Sequence, residues 1–144
     1  SSNLKLIRDK LAQGIIIDDE VSSIYDRIER EKNQCIKKSL RAAKIHDGKY
    51  RIAVMPSYGY PSETAAEVRK ILGTEIELLV FDNGKFSIRS VPDISHLIAR
   101  EFNGGGHPNA SGGNLGYGWK EKALFKIFRH VSKRKEFLSV AEKF

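Results

Sequence analysis

The segment from Glu101 to Gly113, EFNGGGHPNASGG, constrains this chain more than any other stretch. Three consecutive glycines precede a histidine, and two more glycines follow at positions 112 and 113. Glycine costs backbone entropy on folding and contributes no buried side chain. The segment therefore predicts either turns that only glycine can make or a close approach of the backbone to another molecule.

Clustered glycines often cradle phosphate at a helix N-terminus, and this run does not fit that pattern. The sequence has no G-x-G-x-x-G after a strand and no G-x-x-x-x-G-K-[ST], which argues against dinucleotide and P-loop sites. The run follows a predicted helix, whose C-terminal dipole repels phosphate. An anion bound here needs local backbone N–H groups and a cation from elsewhere, for which Arg89 and His107 are the candidates.

Hydrophobic periodicity predicts an α/β fold with a mixed β-sheet flanked by helices, preceded by a long helical linker arm. We place the arm at residues 1–46 and the α/β domain at residues 47–144. Caps are predicted at Ser62 and Asp93, and Asn83-Gly84 predicts a hairpin. The predicted strands are 50–55, 76–81, 86–91 and a last one within 114–118, and the predicted helices are 4–11, 21–45, 61–73, 93–102 and 119–137.

Composition is that of a soluble domain. The chain has 25 Lys and Arg against 18 Asp and Glu, a net charge of +7, which favours polyanionic partners but suits a plain soluble surface equally well. The single cysteine fits a reducing, cytoplasmic setting. No apolar run is long enough for a membrane span, so no membrane partner is expected.

Three other features have ordinary structural interpretations that we prefer. The pair His46-Asp47 reads as a turn rather than a metal dyad, and His96 reads as a structural or solvent-facing residue. The basic last helix could follow a phosphate backbone, but a solvated helix face is the preferred interpretation. His107 differs, because the neighbouring glycines offer no bulk that would bury it.

The motif GGGHPNASG, preceded by the strand FSIRS, resembles the C-terminal substrate-binding domain of DHH-family phosphoesterases. That family includes RecJ-like exonucleases, oligoribonucleotide hydrolases, cyclic-dinucleotide phosphodiesterases and exopolyphosphatase-related proteins. The resemblance covers about residues 50–117, and Asn103 stands where many relatives have a fourth glycine. It implies the following substrate-binding residues: Arg89, Ser90, Gly104, Gly105, Gly106, His107, Asn109, Ala110 and Gly112.

The resemblance also implies what this chain should lack. In the family, an N-terminal domain holds two metal ions, usually Mn²⁺ or else Mg²⁺, and performs the hydrolysis. This sequence has no Asp-His-His triplet, so we expect no catalytic residue, no metal site and no cofactor within it, and we expect it to be the C-terminal part of a longer protein. The expected partners are that N-terminal domain and a short oligonucleotide, nucleotide or other phosphorylated substrate.

The substrate class stays open among short RNA, short DNA, a cyclic dinucleotide, a nucleoside bisphosphate and polyphosphate. The main alternative is a stand-alone module that binds RNA or single-stranded DNA without hydrolytic activity. A structural or dimerisation domain is a third interpretation, and it leaves the glycine run unexplained.

Overall fold

The computed structural model describes residues 2–12 and 19–144. The chain divides into two compact units, residues 1–34 and 35–144. Within the described ranges, no helix has the length and hydropathy needed to cross a bilayer. The elements are α1 (Ser2–Ala12), α2 (Asp19–Ala42), β1 (Lys44–Asp47), β2 (Arg51–Pro56), α3 (Pro61–Leu72), β3 (Ile76–Val80), β4 (Lys85–Ser90), α4 (Ser95–Glu101), β5 (Gly105–His107), β6 (Ala110–Asn114), α5 (Trp119–Phe128) and α6 (Arg134–Ala141).

The first unit contains α1 and the N-terminal part of α2. Val21 and Ile24 of α2 are buried. Ile7 and Leu11 of α1 line a hollow together with Val21 and Tyr25. The long predicted helix is confirmed, with Asp19 and Glu20 in its first turn, where they face the positive end of the dipole.

The second unit is built on a mixed sheet of six strands in the order β1-β2-β3-β4-β6-β5. The pair β2 and β3 is parallel and is connected through α3, and every other pairing of the sheet is antiparallel. The Asn83-Gly84 hairpin joins β3 to β4 as predicted, with Gly84 at φ 85°. The predicted α/β class with a mixed sheet is therefore confirmed.

Two hydrophobic clusters cover the two faces of this sheet. The smaller one joins Ala53, Met55 and Leu79 to Ala65 and Val68 of α3. The larger one lies on the opposite face, where α4, α5 and α6 pack on the sheet; it includes Ile52, Val54, Ile76, Leu78, Ile88, Ile98, Phe125 and Phe137. We call these surfaces of the sheet the α3 face and the α4–α6 face.

Burial along β4 alternates, which shows that only one face of this strand is covered. Phe86, Ile88 and Ser90 are buried on the α4–α6 face, whereas Ser87 and Arg89 are half-buried on the α3 face. By contrast, all five residues of β3 are buried. Helix α3 therefore covers the sheet as far as β3 and leaves the α3 face of β4, β6 and β5 open.

Two boundaries at the start of the sheet domain differ from prediction. The helix predicted to reach residue 45 ends at Ala42, and the turn predicted at 46–49 falls at residues 48–50. The reason is tertiary: Ile45 packs against the α3-face cluster, and Asp47 pairs with Arg51 to close a β1–β2 hairpin. The boundary expected at residue 46 lies inside β1.

The glycine segment is a β-hairpin rather than a loop, and the strand predicted at 114–118 is wrong. The strand is instead β6, Ala110–Asn114. Glycine is depleted in strands, but here bulk is excluded: a Cβ at Gly113 would lie 2.9 Å from the Phe86 ring. The pairing of β6 with β4 therefore requires the small residues that resembled a loop.

The predicted basic helix at 119–137 is also wrong, because it is broken into α5 and α6. Arg129 and Lys133 adopt positive φ angles of 54° and 67°. The intervening turn buries Val131 in the core, and α6 then buries Phe137 and Leu138. Neither of these two positions carries glycine or asparagine, the residues that would predict a helix end from the sequence.

Ser62 and Asp93 do not cap helices. Helix α3 begins with Pro61 at its first turn after Tyr60, and α4 follows Ile94, and neither helix has a side-chain cap hydrogen bond. The predicted end of α3 is confirmed, since Gly73 has φ 64° and its N–H bonds to Arg69 O. Asn103 takes the left-handed conformation expected of a C-terminal cap, with φ 58°.

Candidate functional site

The strand register brings Arg89 and His107 into one row on the open α3 face. Arg89 lies directly opposite Ala110, and Ala110 lies directly opposite His107. Residues opposite each other on antiparallel strands project from the same face. Two strand spacings separate Arg89 from His107, or about 10 Å between their backbones.

A second row runs parallel to the first, two residues along each strand. Ser87 lies opposite Gly112, and Gly112 lies opposite Gly105. Ser87 also lies opposite Leu79, which belongs to the α3-face cluster. The two rows together form a small surface bordered by α3 on one side and by the edge strand β5 on the other, and we call it the Arg89 face.

The Arg89 guanidinium is held in place by neutral groups. Its Nη1 donates to Ser87 Oγ at 2.6 Å and to Ile88 O at 3.0 Å, and its Nη2 donates to Ser62 Oγ at 2.9 Å. These bonds use three of the five guanidinium N–H groups and leave two for a ligand. Within the described residues, Arg89 forms no salt bridge, so its charge is not neutralised by the protein.

Glu77 faces Arg89 across β3 and β4 but is paired elsewhere. Its carboxylate accepts from Arg69 Nη2 at 2.6 Å and from Thr74 Oγ1 at 2.8 Å. Burial raises the pKa of the Glu77 carboxyl above its usual 4.5, because desolvation outweighs these hydrogen bonds and the Arg69 charge. Glu77, the carboxylate nearest to Arg89 in this row, therefore pairs with Arg69 of α3 and does not neutralise Arg89.

The N-terminal turn of α3 borders the Arg89 face with free N–H groups and also with the exposed carboxylate of Glu63. Ser62, whose hydroxyl accepts from Arg89, lies in this turn. The N–H groups of a first helical turn have no intrahelical acceptor, and the helix dipole is positive there. Sequence reasoning missed this contribution because Ser62 and Arg89 are 27 residues apart and meet only through the fold.

Ser90 does not project onto the Arg89 face. It is buried, and its hydroxyl lies 2.6 Å from Pro92 O and 2.5 Å from Ser95 Oγ. A signal for this was present in the sequence, since Ser90 follows Phe86 and Ile88 at the period of two that marks one face of a strand. The structure gives Ser90 the role of fastening the end of β4 to α4.

Side-chain hydrogen bonds hold the turn of the glycine hairpin against the end of β4 and against α4. Asn109 Nδ2 donates to Ser90 O at 3.1 Å and to Val91 O at 3.0 Å, although the residue itself is exposed. Ser111 Oγ donates to Ser95 O at 2.7 Å. These side-chain bonds attach the hairpin to the end of β4 and to α4, in addition to the backbone bonds between β5 and β6. They fix the position of its backbone.

The glycines of the hairpin fall into two kinds. Gly104, Gly106 and Gly112 are crowded by backbone: a Cβ at Gly106, which has φ 144°, would lie 2.7 Å from Ser111 Cα. Gly105 has no atom within 4 Å of the position a Cβ would take, and it is exposed. The fold explains the crowded glycines and leaves Gly105 unexplained.

His107 ends β5 and is exposed. Among the described residues no hydrogen bond or ion pair to its side chain is formed, so both ring nitrogens are accessible. His, Cys, Asp and Glu side chains form no group of three or more that could hold a metal ion within residues 2–12 and 19–144. Arg89 and His107 in one row offer hydrogen-bond donors to an anion.

No protein-family model and no curated protein matches the sequence. Among solved structures, the chain is similar in fold to the pGpG-specific phosphodiesterase PggH from Vibrio cholerae, with 9% identity and a TM-score of 0.58 over 90% of this chain. It is also similar to the DHH domain of a member of the S1P family of ribosomal proteins, with 17% identity and a TM-score of 0.53 over 85% of this chain. The matches cover 45% and 32% of those two chains, so this chain spans less than half their length. At the level of fold, the resemblance to DHH-family proteins is confirmed.

Proposed function

We propose that the sheet domain is the substrate-binding domain of a DHH-family phosphoesterase. It would hold the distal phosphate or nucleotide of a short nucleic acid or related phosphodiester. A metal-dependent domain outside this sequence would hydrolyse the bond. The expected Mn²⁺ or Mg²⁺ would belong to that other domain, because the described residues here gather no ligand set for it.

The observation that carries the proposal is the coincidence of an open glycine with an unneutralised arginine. Gly105 is the one crowding-free glycine of the motif's run of three, and it lies on the same open face as Arg89. Because the fold does not require glycine at this position, the absence of a Cβ suits close contact between a ligand and the backbone. Arg89 supplies the charge that an approaching phosphate needs.

The roles of the individual groups follow from their chemistry. Arg89 and the first turn of α3 would bind a phosphate, with the Ser62 and Ser87 hydroxyls as further donors once they reorient. Gly105 would admit a ribose or a base against β5, and His107 would donate to a hydroxyl or a second phosphate. Such contacts far from the reacting bond supply binding energy that orients the substrate in the catalytic domain.

The proposal predicts a specific loss of affinity in Arg89→Ala. The probe is a 5′-phosphorylated dinucleotide, titrated into the chain by calorimetry. Because a hydrogen bond to a charged group contributes about 1.5–3 kcal/mol, the dissociation constant should rise about 10- to 100-fold. Arg89→Lys should recover part of the affinity, since it keeps the charge and loses the planar fork.

Arg100→Ala is the matched control, because Arg100 is an exposed arginine of α4 that lies outside the Arg89 face. Its affinity for the dinucleotide should equal that of the wild type. Equal losses in Arg89→Ala and Arg100→Ala would mean that binding responds only to net charge, and the assignment of the Arg89 face would be wrong.

A further inference from the structure

A second cationic surface is lined by residues other than those of the Arg89 face. Its first part is a hollow of about 520 Å³ at the carboxyl ends of β2 and β3. Lys38, Lys126 and Arg129 line this hollow together with the Tyr58 ring. Among the described residues that line it, Asp82 is the one carboxylate.

Two further hollows continue this surface around the end of α5. One of about 580 Å³ is lined by Arg41, Lys44 and Phe128, and it shares Arg129 with the first hollow. Another of about 290 Å³ is lined by Arg134 and Lys135, and it shares Lys44 with the second. We call the three adjoining hollows the basic groove.

The cations of the basic groove outnumber the carboxylates that line it. In the described part of the chain, none of the seven Lys and Arg side chains named above forms a salt bridge, and Arg134 Nε is buried without a hydrogen-bond partner. Like charges gathered in this way repel one another and oppose the folded state. A polyanion bound along the groove would remove that repulsion.

Lys44 of the basic groove and Arg89 project from opposite faces of the sheet. Lys44 lies opposite Val54, which belongs to the cluster of the α4–α6 face. Arg89 lies opposite Glu77, and Glu77 opposite Ala53, which belongs to the α3 face. The two sites share no lining residue.

We propose that the basic groove is a second binding site, for the backbone of single-stranded nucleic acid. The argument rests on the combination of charge with accessible rings. Phe128 is 72% exposed in the second hollow, and Tyr58 lines the first with Lys38 Nζ at 5.7 Å from its ring centroid. Cations that follow phosphates, with aromatic rings on which bases stack, are the elements of sequence-tolerant single-strand recognition.

The test is fluorescence anisotropy with a labelled 12-nucleotide poly-dT strand at several salt concentrations. The variant combines Lys44→Gln, Lys126→Gln and Arg129→Gly; glycine suits position 129 because its φ is 54°. We expect the affinity to fall at least about tenfold. The negative slope of log affinity against log salt concentration should become shallower by about 2, because each of the three lost phosphate contacts accounts for roughly 0.7.

The control variant removes the same charge elsewhere, with Lys70→Gln, Arg100→Gln and Lys143→Gln, all exposed and none lining the groove. It should change the affinity less than about twofold, and thermal unfolding of both variants should show that each is folded. Equal weakening in both variants, or no weakening in the groove variant, overturns the proposal. Binding to phosphatidylglycerol vesicles without binding to the strand also overturns it, because the groove would then serve a membrane.

This proposal does not depend on the function assigned to the Arg89 face. Arg89→Ala should bind the 12-nucleotide strand through the groove nearly as well as the wild type does. A dinucleotide that loses affinity only in Arg89→Ala, together with a strand that loses affinity only in the groove variant, would establish two separate sites.

Discussion

Two neighbouring glycines of the hairpin have different structural surroundings, although the sequence does not distinguish them. Gly106 combines φ 144° with a backbone neighbour that leaves no room for a methyl group. Gly105, beside it in the chain, has open space where a side chain would project. The hairpin requires glycine at position 106, whereas the fold does not require it at position 105.

This difference gives a prediction at the two neighbouring positions. Gly106→Ala should lower the free energy of unfolding by about 1–3 kcal/mol, because the residue would be held in a region of φ and ψ that alanine avoids. Gly105→Ala should change it by less than about 0.5 kcal/mol, as exposed substitutions do. Urea unfolding measures both changes, and dinucleotide titration should show that Gly105→Ala still loses affinity. If Gly105→Ala binds as the wild type does, close approach of a ligand at β5 is refuted.

Among the elements, α3 and β3 are joined by apolar packing and by an ion pair of which only the carboxylate is buried. Glu77 on β3 is fully buried and accepts hydrogen bonds from Arg69 on α3 and from Thr74, which precedes the strand. Because its pKa is raised by desolvation, the protonated form is favoured on folding relative to the unfolded chain. Ionisation of Glu77 therefore weakens the fold, even with Arg69 beside it.

The pH dependence of stability follows from that sign. A raised carboxyl pKa gives a contribution that is fully present below the unfolded value of 4.5 and is lost as pH rises through the folded value. Urea unfolding from pH 4 to pH 8 should therefore show that the free energy of unfolding of the wild type, minus that of Glu77→Gln, decreases as pH rises. A difference that grows with pH would show that Arg69 dominates desolvation and that the folded pKa is lowered.

How far the sequence predicts these elements depends on whether their signals are local. The runs around Ile52, Leu78 and Ile88 are apolar at strand spacing, and the helix before Gly73 has its terminator in the sequence, so those elements were predicted correctly. The hairpin and the α5–α6 break were not, because Phe86 excludes bulk at Gly113 and the core draws in Val131. Both effects come from residues distant in sequence.

The sequence motif predicts candidate site residues but not their geometry. The motif pointed to Arg89 and the glycines, but their alignment with His107 requires the strand order and register. The participation of Ser62 depends on α3 ending its coverage of the sheet at β3, which no local pattern encodes. Alternation along β4 predicts the burial of Ser90, whereas the family resemblance places Ser90 among the substrate-binding residues.

At the scale of the whole molecule, the sheet domain offers two cationic surfaces of different character. The Arg89 face is small, built on paired strands and lined by fixed backbone, which suits a short phosphorylated end. The basic groove is longer, formed by side chains around α5 and the end of α2, which suits an extended chain of phosphates. A domain with both could hold a substrate by its end on one face and gather longer strands on the other.

The most direct test of the central claim is an NMR amide-shift titration of this chain with a 5′-phosphorylated dinucleotide, repeated on Arg89→Ala and His107→Ala. The account predicts shifts centred on the first turn of α3, on Arg89 and on Gly104 to Gly112, weakened in both variants. Shifts confined to the basic groove and unchanged in both variants would contradict the assignment of the Arg89 face as the substrate-binding site.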